Sequence, residues 1–201
     1  MLVHTVMTSP VVTTEPTQSL LAARRVMHDG HFRHLPVVQA GALVGIISDR
    51  DLSRHDAQSV ADVMNPNVIV VNPDTPVEVA AQLLVDNKIG ALPVVAADDA
   101  VLVGIVSQTD LFSILARLLG GDGPSTRLEL VLDDLPAQLA IVATLAHQSH
   151  VGITSLVTLP AERGRTQRRL VLRIGSIVSR PFVAELRRAG VHVDLPDERD
   201  G

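Results

Sequence analysis

Residues 45–52 read GIISDRDL, and residues 104–111 read GIVSQTDL. Each is a short apolar run followed by Ser, two variable residues, Asp and Leu. Working outward, the same landmarks surround both in the same order. Val-Met stands at 6–7 and 63–64, Leu-Pro-Val-Val at 35–38 and 92–95, and Leu-Val-Gly-Ile at 43–46 and 102–105. The offsets of one or two residues fall in turns. This is one supersecondary unit used twice.

Each unit predicts the order β-α-β-β-α. A β-rich run comes first, at residues 11–14 and 68–71. Thr17 and Thr75 are placed to cap a helix, with Pro76 at a tolerated first-turn position. Leu20, Leu21, Ala23, Val26 and Met27 form one apolar helix face, and Val79, Ala80, Leu83 and Leu84 form its counterpart. Two apolar strands follow, at 35–38 with 43–47 and at 92–95 with 102–106. Gly41 and the Asp98, Asp99 pair mark the turns between them. A last helix is expected after Ser48 and after Ser107. One such sheet alone would leave a face exposed, so the two copies are expected to pack on each other.

The Ser-x-x-Asp spacing has two readings. Where a strand becomes a helix, Ser with an acid three residues on is close to a capping box, and the acid suits the helix dipole. The same geometry suits a nucleotide. A helix N-terminus offers free N–H groups to a phosphate. The Ser hydroxyl can donate to it as well, and a carboxylate one turn in can accept both hydrogens of a ribose diol.

The two units resemble cystathionine-β-synthase-type (CBS) motifs, and the pair resembles a Bateman module. The matching residues are Leu35-Pro36-Val37-Val38 with Gly45-Ile46-Ile47-Ser48-Asp49-Arg50-Asp51-Leu52, and Leu92-Pro93-Val94-Val95 with Gly104-Ile105-Val106-Ser107-Gln108-Thr109-Asp110-Leu111. The resemblance implies a pseudo-twofold disc with two clefts for adenosyl ligands: AMP, ADP, ATP or S-adenosylmethionine. It implies regulation rather than catalysis. Ser48, Asp51, Ser107 and Asp110 would hold ribose and phosphate, and Pro10, Val11, Val68 and Ile69 would face the base. Arg33 and His34 precede Leu-Pro in the first unit, where the second has Gly90 and Ala91. In the family, basic residues there reach a ligand phosphate, so the first cleft is expected to prefer more anionic ligands. Which strand serves which Asp is open at this stage. The alternative to a sensor is an assembly module with degenerate, empty clefts.

GGDGPS at residues 120–125 reads as a linker. Beyond it come a strand at 127–132, a helix at 136–148, strands at 151–159 and 169–174, a helix at 181–189 and a strand at 191–195. That β-α-β-β-α-β order is ferredoxin-like, and the segment resembles an ACT domain. Asp134-Leu135-Pro136-Ala137-Gln138-Leu139 stands where that family has Asp-x-Pro-Gly-x-Leu, and Val151-Gly152-Ile153 stands where its second strand begins. Ala137 replaces the Gly that lets a backbone approach a ligand closely. The division is therefore 1–58 and 59–119 for the CBS units, 120–126 for the linker and 127–201 for the ACT-like domain, an α+β fold throughout. The resemblance implies pairing of sheet edges and stacking of discs, hence a homodimer acting on a partner in trans.

Composition sets the exclusions. The 201 residues carry a formal net charge of −5, no Cys, no Trp and no Tyr. Neither disulfides nor thiolate chemistry is available, which suits a reducing, cytoplasmic setting. Stacking platforms for single strands are lacking, and four Arg in the eight residues 162–169 read as a solvated loop tip rather than a nucleic-acid footprint. The N-terminus is not expected to be a signal peptide, nor is any run expected to span a membrane. No phosphate-loop, metalloprotease or nucleophile-elbow motif is present, so no enzyme is expected. His28, His31 and His34 are spaced three apart, but Gly30 interrupts their helix, so no metal site is expected of them.

Overall fold

The computed structural model describes residues 1–53, 57–96, 101–120, 123–160, 167–175 and 180–194. The chain forms two compact units, Met1–Ile114 and Leu115–Gly201.

The first unit holds both repeats. Helix α1 (Leu20–Asp29) precedes the antiparallel hairpin β1 (His34–Gln39) and β2 (Ala42–Ser48). Helix α2 (Val77–Asp86) precedes the hairpin β3 (Ala91–Val95) and β4 (Leu102–Ser107). Both hairpins share one register, with His34 opposite Ser48 and Ala91 opposite Ser107, and both slip at the same place, Val37/Val38 and Val94/Val95. Both helices also end alike. His31 and Lys88 take left-handed φ values of 53° and 54°. The Phe32 N–H then reaches the Met27 carbonyl and the Ile89 N–H the Leu84 carbonyl, both at 3.1 Å. This Schellman closure turns each chain into its first strand.

Each repeat lends its beginning to the other. Thr8 exchanges backbone hydrogen bonds with Ile105 (2.9 and 3.1 Å), and Asn65 does so with Ile46 (2.9 and 3.1 Å). Only afterwards do the segments return to their own hairpins, through single bridges from Thr14 to Val37 and from Val71 to Val94. The cores show the same exchange. Val3 is fully buried among Val71, Ala80, Leu84, Leu92, Val94 and Val106. Val60 and Val63 are buried with Ala23, Met27, Leu35, Val37 and Ile47. Burial of a Val side chain is worth about 1.5–3 kcal/mol, so the exchange ties the repeats together strongly. It also explains two glycines. A Cβ on Gly104 would sit 2.3 Å from Met7 Sδ, and one on Gly45 would sit 2.8 Å from Met64 Sδ.

Several expectations need correction. Residues 11–14 and 68–71 are not strands, because each makes only a single bridge, at Thr14 and at Val71. The cap of α1 is Ser19, whose hydroxyl accepts from Ala22 N–H at 3.3 Å, rather than Thr17. Thr75 does not cap α2 either; Pro76 holds the cap position without a side-chain bond, and the Thr75 hydroxyl bonds with Asn72 instead. Leu21, Val26 and Val79 lie exposed rather than on buried helix faces. After Ser107 comes the helix α3 (Gln108–Leu118), as expected. After Ser48 there is only a 3-10 turn, Asp51–Ser53, with residues 54–56 outside the described residues. The Asp98, Asp99 turn also falls outside them.

The second unit contains β5 (Thr126–Leu132), α4 (Leu135–Gln148), β6 (Ile153–Thr158), β7 (Arg168–Ile174), α5 (Arg180–Arg188) and β8 (His192–Asp194). Its four strands form one antiparallel sheet in the order β6-β7-β5-β8. Alternate residues Leu128, Leu130 and Leu132 of β5 and Leu170, Leu172 and Ile174 of β7 are buried with Phe182, Val183 and Leu186 of α5 and Val142 of α4. Arg168 and Arg169 belong to β7, not to a basic loop. Arg169 reaches Glu129 Oε2 at 3.4 Å and Asp194 Oδ2 at 3.3 Å, and these partners make a charged residue tolerable inside the sheet. Residues 161–166, the rest of that loop, lie outside the described residues, as does position 195 of the last strand.

Candidate functional site

Ser48 and Ser107 are the last residues of β2 and β4, and each is followed three positions on by its Asp. The two turns share their Ser-to-Asp bonds, and in the second the Ser107 hydroxyl also accepts from Asp110 N–H at 3.3 Å. The Ser48 N–H and hydroxyl both donate to Asp51 Oδ2 at 2.7 Å, and the Ser107 N–H and hydroxyl donate to Asp110 Oδ2 at the same distance. Among the described residues, Oδ1 of either Asp takes part in no protein hydrogen bond. The next residue is pinned as well, with Asp49 N–H on the Arg33 carbonyl at 2.9 Å and Gln108 N–H on the Gly90 carbonyl at 3.0 Å. All four Ser and Asp side chains are half-buried. Each turn therefore offers one clamped carboxylate oxygen and one available oxygen beside a strand end.

The segment exchange places the opening of each repeat beside the hairpin of the other. Thr8 pairs with Ile105 on β4, the strand that leads to Asp110, and Asn65 pairs with Ile46 on β2, which leads to Asp51. Thr8 and Asn65 make these pairings, and sequence reasoning missed both. The signal was present in the paired Val-Met landmarks, whose methionines pack on the opposite repeat's glycine. Pro10 and Val11 line a cavity of about 330 Å3 with Ser9, Thr13, Gly41 and Leu102. The cavity and Asp110 sit toward opposite ends of β4, with Thr8 and Ser9 between them. Val68 is half-buried. Ile69, also half-buried, packs against the core of the second repeat.

His34 stands opposite Ser48. Burial holds its pKa below the ordinary 6.5; Asp49 opposes that shift, Arg33 adds to it, Asp51 opposes it and Arg50 adds to it. The ring also reaches the second repeat, where a Cβ on Gly90 would lie 2.4 Å from His34 Cε1 and 2.7 Å from Nε2. Arg33 itself is exposed. The ring centroids of His28 and His31 lie 6.4 Å apart, while His34 belongs to β1. Among the described residues no group of three or more His, Asp or Glu is arranged to hold a metal ion. Nor is any helix among them long and apolar enough to cross a membrane.

The second unit has a cavity of its own, about 450 Å3, lined by Val131, Asp133, Gln167, Arg169, His192 and Asp194 among others. Gln167 donates to Asp133 Oδ1 at 2.8 Å, and His192 Nε2 lies 3.0 Å from Asp194 Oδ1. It is larger than the cavity at Pro10 and Val11.

A pair of interlocked β-hairpin repeats, each ending in a Ser-x-x-Asp turn, defines a tandem-repeat module. The CBS domain family model matches residues 3–57 and 60–117, and this chain belongs to that family. Three solved structures illustrate the likeness. The CBS domain pair of MJ0100, in complex with 5′-methylthioadenosine and S-adenosyl-L-methionine, is 29% identical, with a TM-score of 0.56 over 58% of this chain and 97% of that one. CBSX2 in complex with AMP is 30% identical, with a TM-score of 0.53 over 58% and 96%. A putative acetoin utilization protein (AcuB) from Vibrio cholerae is 35% identical, with a TM-score of 0.53 over 62% and 98%. Among curated proteins, the CBS domain-containing protein YhcV of Bacillus subtilis is 37% identical over 52% of this chain and 79% of its own length. Homoserine O-acetyltransferase of Methanohalobium evestigatum is 32% identical over 56% of this chain, which spans only 24% of that enzyme.

Proposed function

We propose that this chain is a regulatory sensor of an adenosyl ligand, acting on a partner protein in trans. The observation that carries the reading is the segment exchange. It gives each Ser-x-x-Asp turn a wall from the opposite repeat, so each cleft is completed only by the pair. The available Oδ1 of Asp51 or Asp110 accepts the ribose hydroxyls, while Oδ2 stays clamped by Ser. For the Asp110 cleft, the base lies along Thr8 and Ser9 toward the cavity at Pro10 and Val11. That cavity is at the lower end of the range for small-molecule sites, roughly 300–1,000 Å3. The adenosyl ligands of the MJ0100 and CBSX2 pairs support the ligand class.

The second unit, with its β-α-β-β-α-β order and 2-3-1-4 strand arrangement, reads as a ferredoxin-like, ACT-like domain. In this proposal it pairs two chains into a cytoplasmic homodimer that passes on the state of the clefts. Light scattering at micromolar concentration is expected to give a dimer mass; a monomer sinks the dimer.

The test of the sensor is calorimetry with AMP, ADP, ATP, 5′-methylthioadenosine and S-adenosylmethionine, followed by Asp51→Asn and Asp110→Asn. Losing a charged acceptor costs about 1.5–3 kcal/mol, roughly a 10- to 150-fold loss of affinity. If no ligand binds, or if both variants bind like the parent, the turns are helix caps and the sensor reading fails. The chain would then be an assembly module with empty clefts, a reading favoured by one observation. Ser59 and Asp62, on an exposed turn, make the same bonds (2.8 and 3.0 Å).

A further inference from the structure

The two Asp-bearing turns share their Ser bonds but are mounted differently. Asp110 lies in the first turn of α3, a helix of 11 residues that buries Ile114 one turn further on. The Leu111 carbonyl falls inside that helix, where the backbone ladder serves it. Asp51 instead opens a 3-10 turn of 3 residues, Asp51–Ser53. There the Ser53 N–H donates to the Arg50 carbonyl at 3.2 Å. A run this short has too little backbone bonding to hold its own geometry.

The anchor comes from α1. Leu52, 4% exposed, is buried with Ala23 and Met27 of that helix. Arg24 follows Ala23 on α1, and its Nη2 donates to the Leu52 carbonyl at 2.6 Å. A charged donor at this distance makes one of the stronger kinds of hydrogen bond. The second repeat has no such clamp. Both helices have 10 residues and close alike, so Ala80 and Leu84 of α2 match Ala23 and Met27, and Ala81 matches Arg24. An alanine side chain has no donor. The repeat with a long helix after its Asp thus lacks the clamp, and the repeat with only a 3-10 turn carries it.

We infer that Arg24 is a positioning residue for Asp51, fixing its turn from α1, so that the Asp51 cleft answers to α1 while the Asp110 cleft answers to its own helix. Arg24 acts through the Leu52 carbonyl and not on the ligand. A shift of α1 carries that carbonyl with it, draws the Asp51 carboxylate away from Ser48 and leaves Asp110 in place. By reciprocity, a ligand held by Asp51 steadies α1 and not α2. The mount stands on the free protein alone; its effect on binding rests on the sensor reading above.

Hydrogen exchange on the free full chain reads the mount without a ligand. In Arg24→Ala the Ser48 amide, which donates to Asp51, is expected to exchange roughly fivefold faster or more, while the Ser107 amide, which donates to Asp110, keeps its rate. Arg24→Lys, which retains a charged donor, is expected to restore part of the protection. Arg25→Ala removes the neighbouring charge from an exposed position and is expected to change neither amide. Calorimetry with AMP then reads the consequence. Added to Asp110→Asn, Arg24→Ala is expected to weaken AMP roughly fivefold or more; added to Asp51→Asn, it is expected to change nothing further. Unchanged exchange at Ser48 overturns the inference. So does equal acceleration at Ser48 and Ser107, the mark of a general loss of stability, and so does an AMP loss in Arg25→Ala as large as in Arg24→Ala. If AMP does not bind the parent, the sensor reading fails, while exchange at Ser48 still decides the mount.

Discussion

The Ser48/Asp51 turn and the Ser59/Asp62 turn make the same bonds in different surroundings. In both, one carboxylate oxygen accepts from the Ser N–H and the Ser hydroxyl, at 2.7 Å twice in the first and at 2.8 and 3.0 Å in the second. The first closes a strand, is half-buried, and has His34 across the hairpin and Asn65 of the other repeat close by. The second caps a three-residue 3-10 turn, with Ser59 half-buried and Asp62 exposed. The bonding pattern is therefore a property of the local sequence. What distinguishes a cleft is what the rest of the fold brings to it.

The widest separation between the turns is expected in binding. Asp51→Asn should weaken nucleotide binding by about 10- to 150-fold, corresponding to about 1.5–3 kcal/mol, while Asp62→Asn leaves it alone. Calorimetry on both variants decides; an equal response at the two sites breaks the comparison. Next in size is Gly104→Ala, which pushes a methyl into Met7 and disturbs the segment that walls the Asp110 cleft. Overpacking costs about 1–3 kcal/mol, and thermal unfolding is expected to show the lower part of that range because a methionine can yield. Unfolding at the parent's temperature would mean that the two repeats are not wedged there.

A smaller effect is expected from His34. Its folded pKa lies below 6.5, so between the two values the unfolded chain binds a proton that the folded chain does not. Stability then falls as pH drops through 6.5 and levels off below the folded value. His34→Gln should remove that slope; denaturant titrations at pH 7.5 and 5 that fall in parallel for parent and variant contradict it. The same lowered pKa means that the imidazole is largely neutral at neutral pH in the free protein, leaving Arg33 and Arg50 to supply the charge. Smallest is Asp62, whose pKa is held below 3.8, first by the Ser59 N–H and then by the Gln58 N–H. Its contribution is present above 3.8 and is lost as pH falls through the folded value. Asp62→Asn should therefore lower stability slightly at pH 7 and flatten the acid limb of the stability curve.

The hairpins were legible because their strands are short apolar runs between turn residues, and the repeat showed each one twice. The edges of that reading mark where local pattern stops deciding. Thr17 and Thr75 are good capping residues, but Ser19 lies nearer the first periodic turn and Pro76 cannot be displaced from its own. LFSILARLL after Asp110 is helix-periodic, whereas Leu52 and Ser53 after Asp51 belong to a 3-10 turn. Arg168 and Arg169 read as part of a basic loop, whereas pairing with Leu132 and Val131 of β5 puts them in a strand, and Glu129 and Asp194, distant in sequence, partner Arg169. In the clefts, the Ser and Asp positions were visible in the motif. Thr8, Asn65 and the contact of His34 with Gly90 were not, since each depends on the opposite repeat.

The exchange of opening segments also sets an order of assembly. Thr8 can meet Ile105, and Val3 can enter its core, only after nearly all of the pair has been synthesised. Contacts so distant in sequence slow folding, because loop closure must precede any gain from them. During translation the first hairpin can form early, but its neighbouring segment at Asn65 arrives later and its own first residues wait for the second hairpin. Cutting the chain between the repeats would leave two fragments, each with a hairpin and with the wrong opening segment attached. Their complementation in solution, fragment 1–58 with fragment 59–119, is the behaviour such an interlock demands.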